Sequence, residues 1–138
     1  MNKVKLLVVD DHHIMRDTLE AFLSHDENIT IVGLAENGME AVEMIKKNPA
    51  DVVLMDLSMP FMDGIEATKV ITESYPDIKI LALTMHDDIS LLSEAIEAGA
   101  YGYLTKPVKK AQLQEAIESV TEDKYYFGFK TNLSRTLY

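Results

Sequence analysis

Five short runs of almost wholly apolar residues recur along the chain, and they restrict its fold more than any other feature. The runs occupy residues 6–9, 29–32, 52–55, 78–83 and 101–104. Their hydrophobicity is continuous rather than alternating, which is typical of strands that are covered on both faces in a parallel sheet. The sequence therefore predicts five buried parallel strands.

Between these runs, apolar residues recur at the spacing of one helical face. Asn37 precedes the second such segment as an N-cap, Gly99 follows the fourth as a C′ residue, and Pro49 and Pro76 lie in breaks where helices must have ended. The pattern predicts a doubly wound (βα)₅ domain of the α/β class, with right-handed crossovers that place helices on both faces. The five stripes are Met15, Leu19, Phe22 and Leu23; Ala41, Met44 and Ile45; Ile65, Thr68 and Ile71; Ile89, Leu92 and Ile96; and Leu113, Ala116, Ile117 and Val120.

Composition excludes several classes of function. The 138 residues suffice for one domain with its own core, and the net charge of −10 argues against direct binding of nucleic acid or anionic lipid by this chain. The absence of cysteine excludes disulfides, thiolate metal sites and a cysteine nucleophile. The first residues lack the long apolar stretch and cleavage site that are typical of a secretory signal, and no apolar run approaches the roughly 20 residues that span a bilayer. We expect a cytoplasmic protein with no membrane association.

Acidic residues follow two of the predicted strands. Asp10 and Asp11 follow the first strand, and Asp56 follows the third. Ligands of open α/β sheets bind beyond the carboxyl ends of the strands, so these carboxylates would converge if the two strands were neighbours. Converging like charges repel unless a cation is present, and hard oxygen ligands suit Mg²⁺. The alternative is that each acid only caps a helix, and the residues alone leave both interpretations open.

Two further residues belong to the same predicted edge. Thr84 ends the fourth strand and Lys106 ends the fifth. Singly, the first could be a helix cap and the second a surface lysine. Together, a hydroxyl and an ammonium beside a carboxylate cluster favour a phosphoryl group, whose oxygens need donors and positive charge.

Four separated motifs resemble those of the receiver domains of response regulators. They are VVDD at residues 8–11, LMDLSMPFMDG at 54–64, LT at 83–84 and YLTKP at 103–107. The likeness covers about residues 3–120 and implies a flavodoxin-like sheet of five strands in the order 2-1-3-4-5.

The resemblance gives each acid of the edge a role. Asp56 would accept a phosphoryl group. Asp11 and Asp56 would ligate Mg²⁺ through their carboxylates, and Ser58 would do so through its backbone carbonyl. Asp10 would support the site by holding metal-bound water. Catalysis would extend only to the domain's own phosphorylation and dephosphorylation, so we expect a signalling domain and not an enzyme.

The same resemblance assigns the remaining edge residues. Lys106 would pair with the phosphoryl oxygens or with Asp56, and Thr84 would move toward the phosphoryl group. Tyr103 would follow Thr84 by a change of rotamer, so these two residues would form the switch. A cis bond before Pro107 is usual in the family, and the sequence leaves the isomer open.

Finer motifs resemble the NarL/LuxR-type regulators. They are DGIEA at residues 63–67, TMHDD at 84–88 and AGAYGYL at 98–104. The likeness implies a sensor histidine kinase as partner, a homodimer on phosphorylation, and a switch face formed by helix four, strand five and helix five. DNA would be bound only through an output domain absent from this chain. Residues 1–121 would form the receiver, and residues 122–138 a C-terminal extension or the start of a linker, so a fragment is favoured over a stand-alone receiver.

Two other functions are alternatives to a phosphorylated receiver. An aspartate-nucleophile phosphohydrolase normally has a second acid two residues after the nucleophile, where this chain has Ser58. A pseudo-receiver that binds a protein without phosphorylation would not need the full set of edge residues. His12 and His13 are interpreted as first-turn residues and not as metal ligands, because adjacent positions on a helix point apart.

Overall fold

The computed structural model describes residues 3–57, 59, 63–85 and 89–127. Its strands are β1 (Val4–Val9), β2 (Ile29–Ala35), β3 (Val52–Asp56), β4 (Lys79–Met85) and β5 (Gly102–Lys106), and its helices are α1 (His13–Leu23), α2 (Gly38–Lys47), α3 (Gly64–Ser74), α4 (Ile89–Ala98) and α5 (Lys110–Thr121). All strand pairs are parallel, in the order β2-β1-β3-β4-β5. The predicted flavodoxin-like, doubly wound sheet is therefore confirmed.

The strands separate two hydrophobic clusters. Leu6 and Val8 of β1 pack with residues of α1 and α5, whereas Leu7 and Val9 pack with residues of α2, α3 and α4. Successive side chains of a strand point to opposite faces, so helices must cover both faces of this sheet. Only the ends of the strands then remain for polar chemistry.

Two helix ends have the capping residues that the sequence predicts. The side chain of Asn37 accepts a 2.8 Å hydrogen bond from the backbone N–H of Glu40, which makes it the predicted N-cap of α2. Gly99 follows α4 with a φ of 117°, as expected of a C′ residue. Within the described ranges, no helix has both the length and the apolarity needed to cross a bilayer.

Four strands continue beyond the apolar runs that predicted them, β3 by a single residue, Asp56. β2 extends to Ala35, β4 to Met85 and β5 to Lys106. The register continues to the pair Met85 and Lys106, so backbone pairing and not hydrophobicity sets the ends of β4 and β5. Both strands therefore carry polar residues as far as the sheet edge.

Residues 124–127, called the strap below, lie against β5. Tyr126 forms an isolated parallel bridge with Gly102, and its side chain packs in the cluster under α1 and α5. Tyr126 and Phe127 are both buried. Packing thus continues past Thr121, where the sequence placed the end of the receiver; that boundary stays a prediction.

The phenol of Tyr126 should make stability depend on alkaline pH. Burial and a hydrogen bond to Glu115 raise its pKa from 10.0 to about 12. Because the folded chain retains this proton more strongly, the stabilising effect is complete below about pH 10 and is lost as the pH rises through about 12. Between neutral pH and about pH 11, the free energy of unfolding of the wild type should fall by roughly 1 kcal/mol more than that of Tyr126→Phe. Urea denaturation of both proteins at the two pH values measures this, and a pH-independent difference would contradict it.

Candidate functional site

Three charged side chains meet at the carboxyl edge of the sheet. Asp10 directly follows β1, whereas Asp56 and Lys106 are the last residues of β3 and β5. In each strand, the residue two positions earlier belongs to the cluster under α1 and α5. Strand alternation therefore directs all three side chains toward the same face.

The ammonium group of Lys106 joins the two acids. Its Nζ lies 2.9 Å from Oδ2 of Asp10 and 3.5 Å from Oδ2 of Asp56. The side chain of Lys106 is only 7% exposed, and both carboxylates are buried. Two buried carboxylates this close would repel each other strongly without a cation, so Lys106 offsets much of the electrostatic cost of this cluster.

A third carboxylate and an imidazole complete the group. His12 donates its backbone N–H to Oδ1 of Asp10 at 2.9 Å, and its Nδ1 lies 3.1 Å from the same oxygen. Nδ1 also lies 3.0 Å from Oδ1 of Asp11. Potential ligand atoms of Asp10, Asp11, His12 and Asp56 all lie within 4.8 Å of one another.

The place of His12 corrects the sequence interpretation. His12 has extended backbone angles and precedes α1 as its N-cap residue, whereas His13 is the first residue of the helix. The rule that adjacent helical residues point apart therefore does not apply to His12, and its ring turns back to the two acids. The signal was present in the sequence, since His12 directly follows Asp10 and Asp11.

The donor set fits a divalent cation. Three carboxylates supply hard oxygen atoms of the kind that Mg²⁺ prefers. Asp10 already contacts Lys106 through one oxygen and His12 through the other, whereas the more exposed Asp11 lies on the solvent side. Ser58, whose backbone carbonyl the resemblance assigns to the site, lies outside the described residues.

Two neighbours that the sequence did not single out hold the acids in place. The side chain of Arg16 donates a hydrogen bond to the backbone carbonyl of Asp10, directly after β1. Gly64, the first residue of α3, lies so close to the end of β3 that an added Cβ would be 2.1 Å from the Asp56 carbonyl oxygen. The absence of a side chain at Gly64 therefore allows α3 to begin in direct contact with the backbone of Asp56.

The two predicted switch residues lie on β4 and β5. Thr84 is buried and donates a long 3.4 Å hydrogen bond to the carbonyl of Met85. In the ladder between the strands, Thr84 pairs with Thr105, and Tyr103 pairs with Ala82. Alternation places Thr84 and Tyr103 on the same face of the sheet. The peptide bond between Lys106 and Pro107, whose isomer the sequence left open, is cis.

Comparison with protein families matches residues 6–118 to the response regulator receiver domain. The protein belongs to this family. The match begins within β1, spans the other four strands and includes all of the predicted site, so the family assignment made from the four motifs is confirmed.

Curated relatives of the receiver include a transcriptional regulatory protein and a response regulator. It is 37% identical over 125 residues to the transcriptional regulatory protein DegU of Brevibacillus brevis, covering 91% of this chain and 53% of that protein. It is 40% identical over 125 residues to the response regulator UvrY of Escherichia coli K12, covering 91% and 57%. The chain thus spans about half the length of the curated relatives it matches.

Solved structures agree on fold and subfamily. A LuxR-family two-component response regulator from Aurantimonas sp. SI85-9A1 superimposes with a TM-score of 0.88 at 31% identity, covering 96% of this chain and 94% of that one. The isolated receiver domain of RcsB from Salmonella enterica serovar Typhimurium, solved with the phosphomimetic BeF₃⁻, gives a TM-score of 0.85 at 26% identity, covering 95% and 97%. The receiver is therefore of the NarL/LuxR type.

Removal of the Lys106 ammonium should destabilise the receiver. In Lys106→Met, Asp10 and Asp56 would face each other without their shared cation, at a cost of roughly 3–5 kcal/mol in the free energy of unfolding. Lys110→Met, at an exposed lysine of α5, should change stability by less than about 0.5 kcal/mol. Urea denaturation at neutral pH and without divalent ions compares the three proteins. Equal stability of the two variants would show that the Lys106 ion pairs contribute nothing.

Proposed function

We propose that this receiver accepts a phosphoryl group on Asp56 from a sensor histidine kinase, in a Mg²⁺-dependent reaction, as part of a cytoplasmic signalling pathway. The observation that carries the proposal is the position of Asp56. Its carboxylate ends a buried strand, lies 3.5 Å from Lys106, and belongs to the cluster of potential metal ligands. A nucleophile for phosphoryl transfer needs such neighbouring positive charge.

In the reaction, an oxygen of the Asp56 carboxylate would bond to phosphorus as the bond from phosphorus to the donor breaks. A phosphohistidine donor would leave as imidazole, and acetyl phosphate would leave as acetate. Lys106, already beside Asp56, would contact the phosphoryl oxygens, and the Thr84 hydroxyl would exchange its 3.4 Å bond to Met85 for one to the phosphoryl group. Asp56 is consumed once in each cycle until hydrolysis, which is the behaviour of a signalling site.

The acid cluster would hold Mg²⁺, which when bound supplies positive charge to the phosphoryl oxygens. Asp11 and Asp56 would be its carboxylate ligands, with the Ser58 carbonyl as a third protein ligand. Asp10 would act through metal-bound water, in keeping with its contacts to Lys106 and His12. Few protein ligands and several waters are typical of Mg²⁺ sites.

The output would be control of transcription. The DegU relative is named a transcriptional regulatory protein, and another matched structure contains two RcsB dimers bound to two parallel DNAs. We propose that this receiver forms a homodimer on phosphorylation and acts through a DNA-binding output domain, with Thr84 and Tyr103 changing the face formed by α4, β5 and α5. The net charge of −10 supports a separate domain as the DNA-binding part.

Substitution of the acceptor tests the central step. After incubation with acetyl phosphate and Mg²⁺, the intact protein should gain the mass of one phosphoryl group, and Asp56→Asn should gain none because an amide is not a nucleophile here. Asp17→Asn, at an exposed acid of α1, is the matched control and should be labelled like the wild type. Stoichiometric labelling of Asp56→Asn would show that another residue is the acceptor.

The metal requirement is tested at Asp11. Asp11→Ala removes a carboxylate on the solvent side of the cluster, so the affinity for Mg²⁺ should fall by at least about tenfold if one ligand is lost. Titration with Mg²⁺, followed by the chemical shifts of amides near β1 and β3, gives the affinity, with Asp17→Asn again as control. A labelling rate that is insensitive to EDTA in the wild type would exclude Mg²⁺ from the reaction.

A further inference from the structure

The strap is a built part of the β5 edge. The backbone N–H of Tyr126 donates to the carbonyl of Tyr101 at 2.9 Å, and the N–H of Tyr103 donates to the carbonyl of Tyr126 at 2.9 Å. These two bonds flank Gly102, as in a regular parallel pairing. The strap therefore satisfies backbone groups of β5 that an open sheet edge would expose.

The strap depends on a missing side chain in β5. A Cβ added at Gly102 would lie 2.0 Å from the carbonyl oxygen of Tyr126. This oxygen belongs to the backbone, so no side-chain rotation could relieve the clash. Only glycine at this position allows the strap to approach as closely as it does.

Side chains fasten both ends of the strap. At its start, Tyr125 stacks on Tyr101 with ring centroids 4.7 Å apart, and Lys79 lies over the Tyr101 ring and pairs with Asp123 at 2.8 Å. Burial alone would lower the pKa of Lys79, but its bonds to Asp123 and Tyr101 raise it above the ordinary value. At the other end, the ring of Phe127 lies 5.9 Å from that of Tyr103.

This last contact connects the strap to the functional site. Tyr103 is bound to the strap through its backbone and its ring, and it lies three residues before Lys106 on the same strand. Lys106 contacts Asp56 directly. A change at Asp56 that moves Tyr103 would therefore alter the surface on which the strap is docked.

We propose that the strap is docked in the unphosphorylated receiver and loosens when Asp56 is phosphorylated. This inference rests on the proposed function. Movement of Tyr103 removes the ring contact of Phe127 and weakens the neighbouring hydrogen bond. The free energy that couples the two events is reciprocal, so the docked strap also disfavours the phosphorylated arrangement.

Hydrogen exchange of two amides tests the proposal. Beryllofluoride with Mg²⁺ stands in for the phosphoryl group, and fluorine NMR detects its binding, with Asp56→Asn as the non-binding control. The amides of Tyr103 and Tyr126 should exchange about tenfold faster in the complex, as expected when one protecting hydrogen bond is lost. The amides of β1, an interior strand away from the strap, should be unaffected.

The outcomes separate the two proposals. Asp56-dependent binding with unchanged exchange at Tyr103 and Tyr126 would overturn the strap inference and leave the proposed function standing. The absence of any Asp56-dependent fluorine signal would overturn the proposed function and the coupling with it.

Reciprocity supplies a second test on the full chain. Gly102→Ala should expel the strap, so the Tyr126 amide should exchange rapidly without beryllofluoride and the affinity for beryllofluoride should rise several-fold. Gly33→Ala is the matched control, because its added Cβ meets only the flexible side chains of Leu7 and Met44, at 3.0 and 3.2 Å. Phe127→Ala, which leaves β5 unchanged, should raise the affinity in the same direction. Rapid exchange at Tyr126 without a gain in affinity relative to Gly33→Ala would show that the strap is only structural.

Discussion

The ion pairs of Lys106 with Asp10 and Asp56 are the interactions on which the polar end of the sheet depends. Burying two carboxylates side by side is unfavourable, and a lysine 2.9 and 3.5 Å away offsets that cost. Lys106 can reach both acids only because β5 continues two residues past Leu104 and ends at the same edge as β1 and β3. With Asp11 nearby, the cluster keeps a net negative charge, which is the condition for attracting a divalent cation.

Two glycines determine how closely other segments approach this framework. Gly64 lets α3 begin against the carbonyl of Asp56, and Gly102 lets the strap lie against β5. In both places the atom that a Cβ would meet is a backbone oxygen about 2 Å away, so neither position tolerates a side chain without a backbone shift. The first contact fixes the proposed acceptor, and the second fixes the edge of the strand that carries Tyr103. The proposed site and the proposed output are thus linked through backbone packing.

The sequence predicts the sheet and the acid cluster well because both depend on simple periodic rules. Continuous apolar runs identify buried strands, and the carboxyl ends of the parallel strands bring Asp10, Asp56 and Lys106 to one edge of the sheet. Features set by tertiary approach were missed. The turn of His12 toward the acids depends on its position just outside α1, and the docking of Tyr126 depends on open space above Gly102. Tyr125, Tyr126 and Phe127 are residue types that are enriched in strands. Their pairing with β5, however, depends on the space at Gly102, which the sequence of residues 124–127 does not show.

Chemical mapping of the modified residue tests the central claim most directly. The receiver would be treated with acetyl phosphate and Mg²⁺, reduced with borohydride to convert an acyl phosphate to an alcohol, and digested for peptide mass spectrometry. The account predicts that the converted side chain is Asp56 and that it is absent when EDTA is included. Conversion at Asp10 or Asp11 instead, or a modified His12, would contradict the assignment of Asp56 as the phosphoryl acceptor.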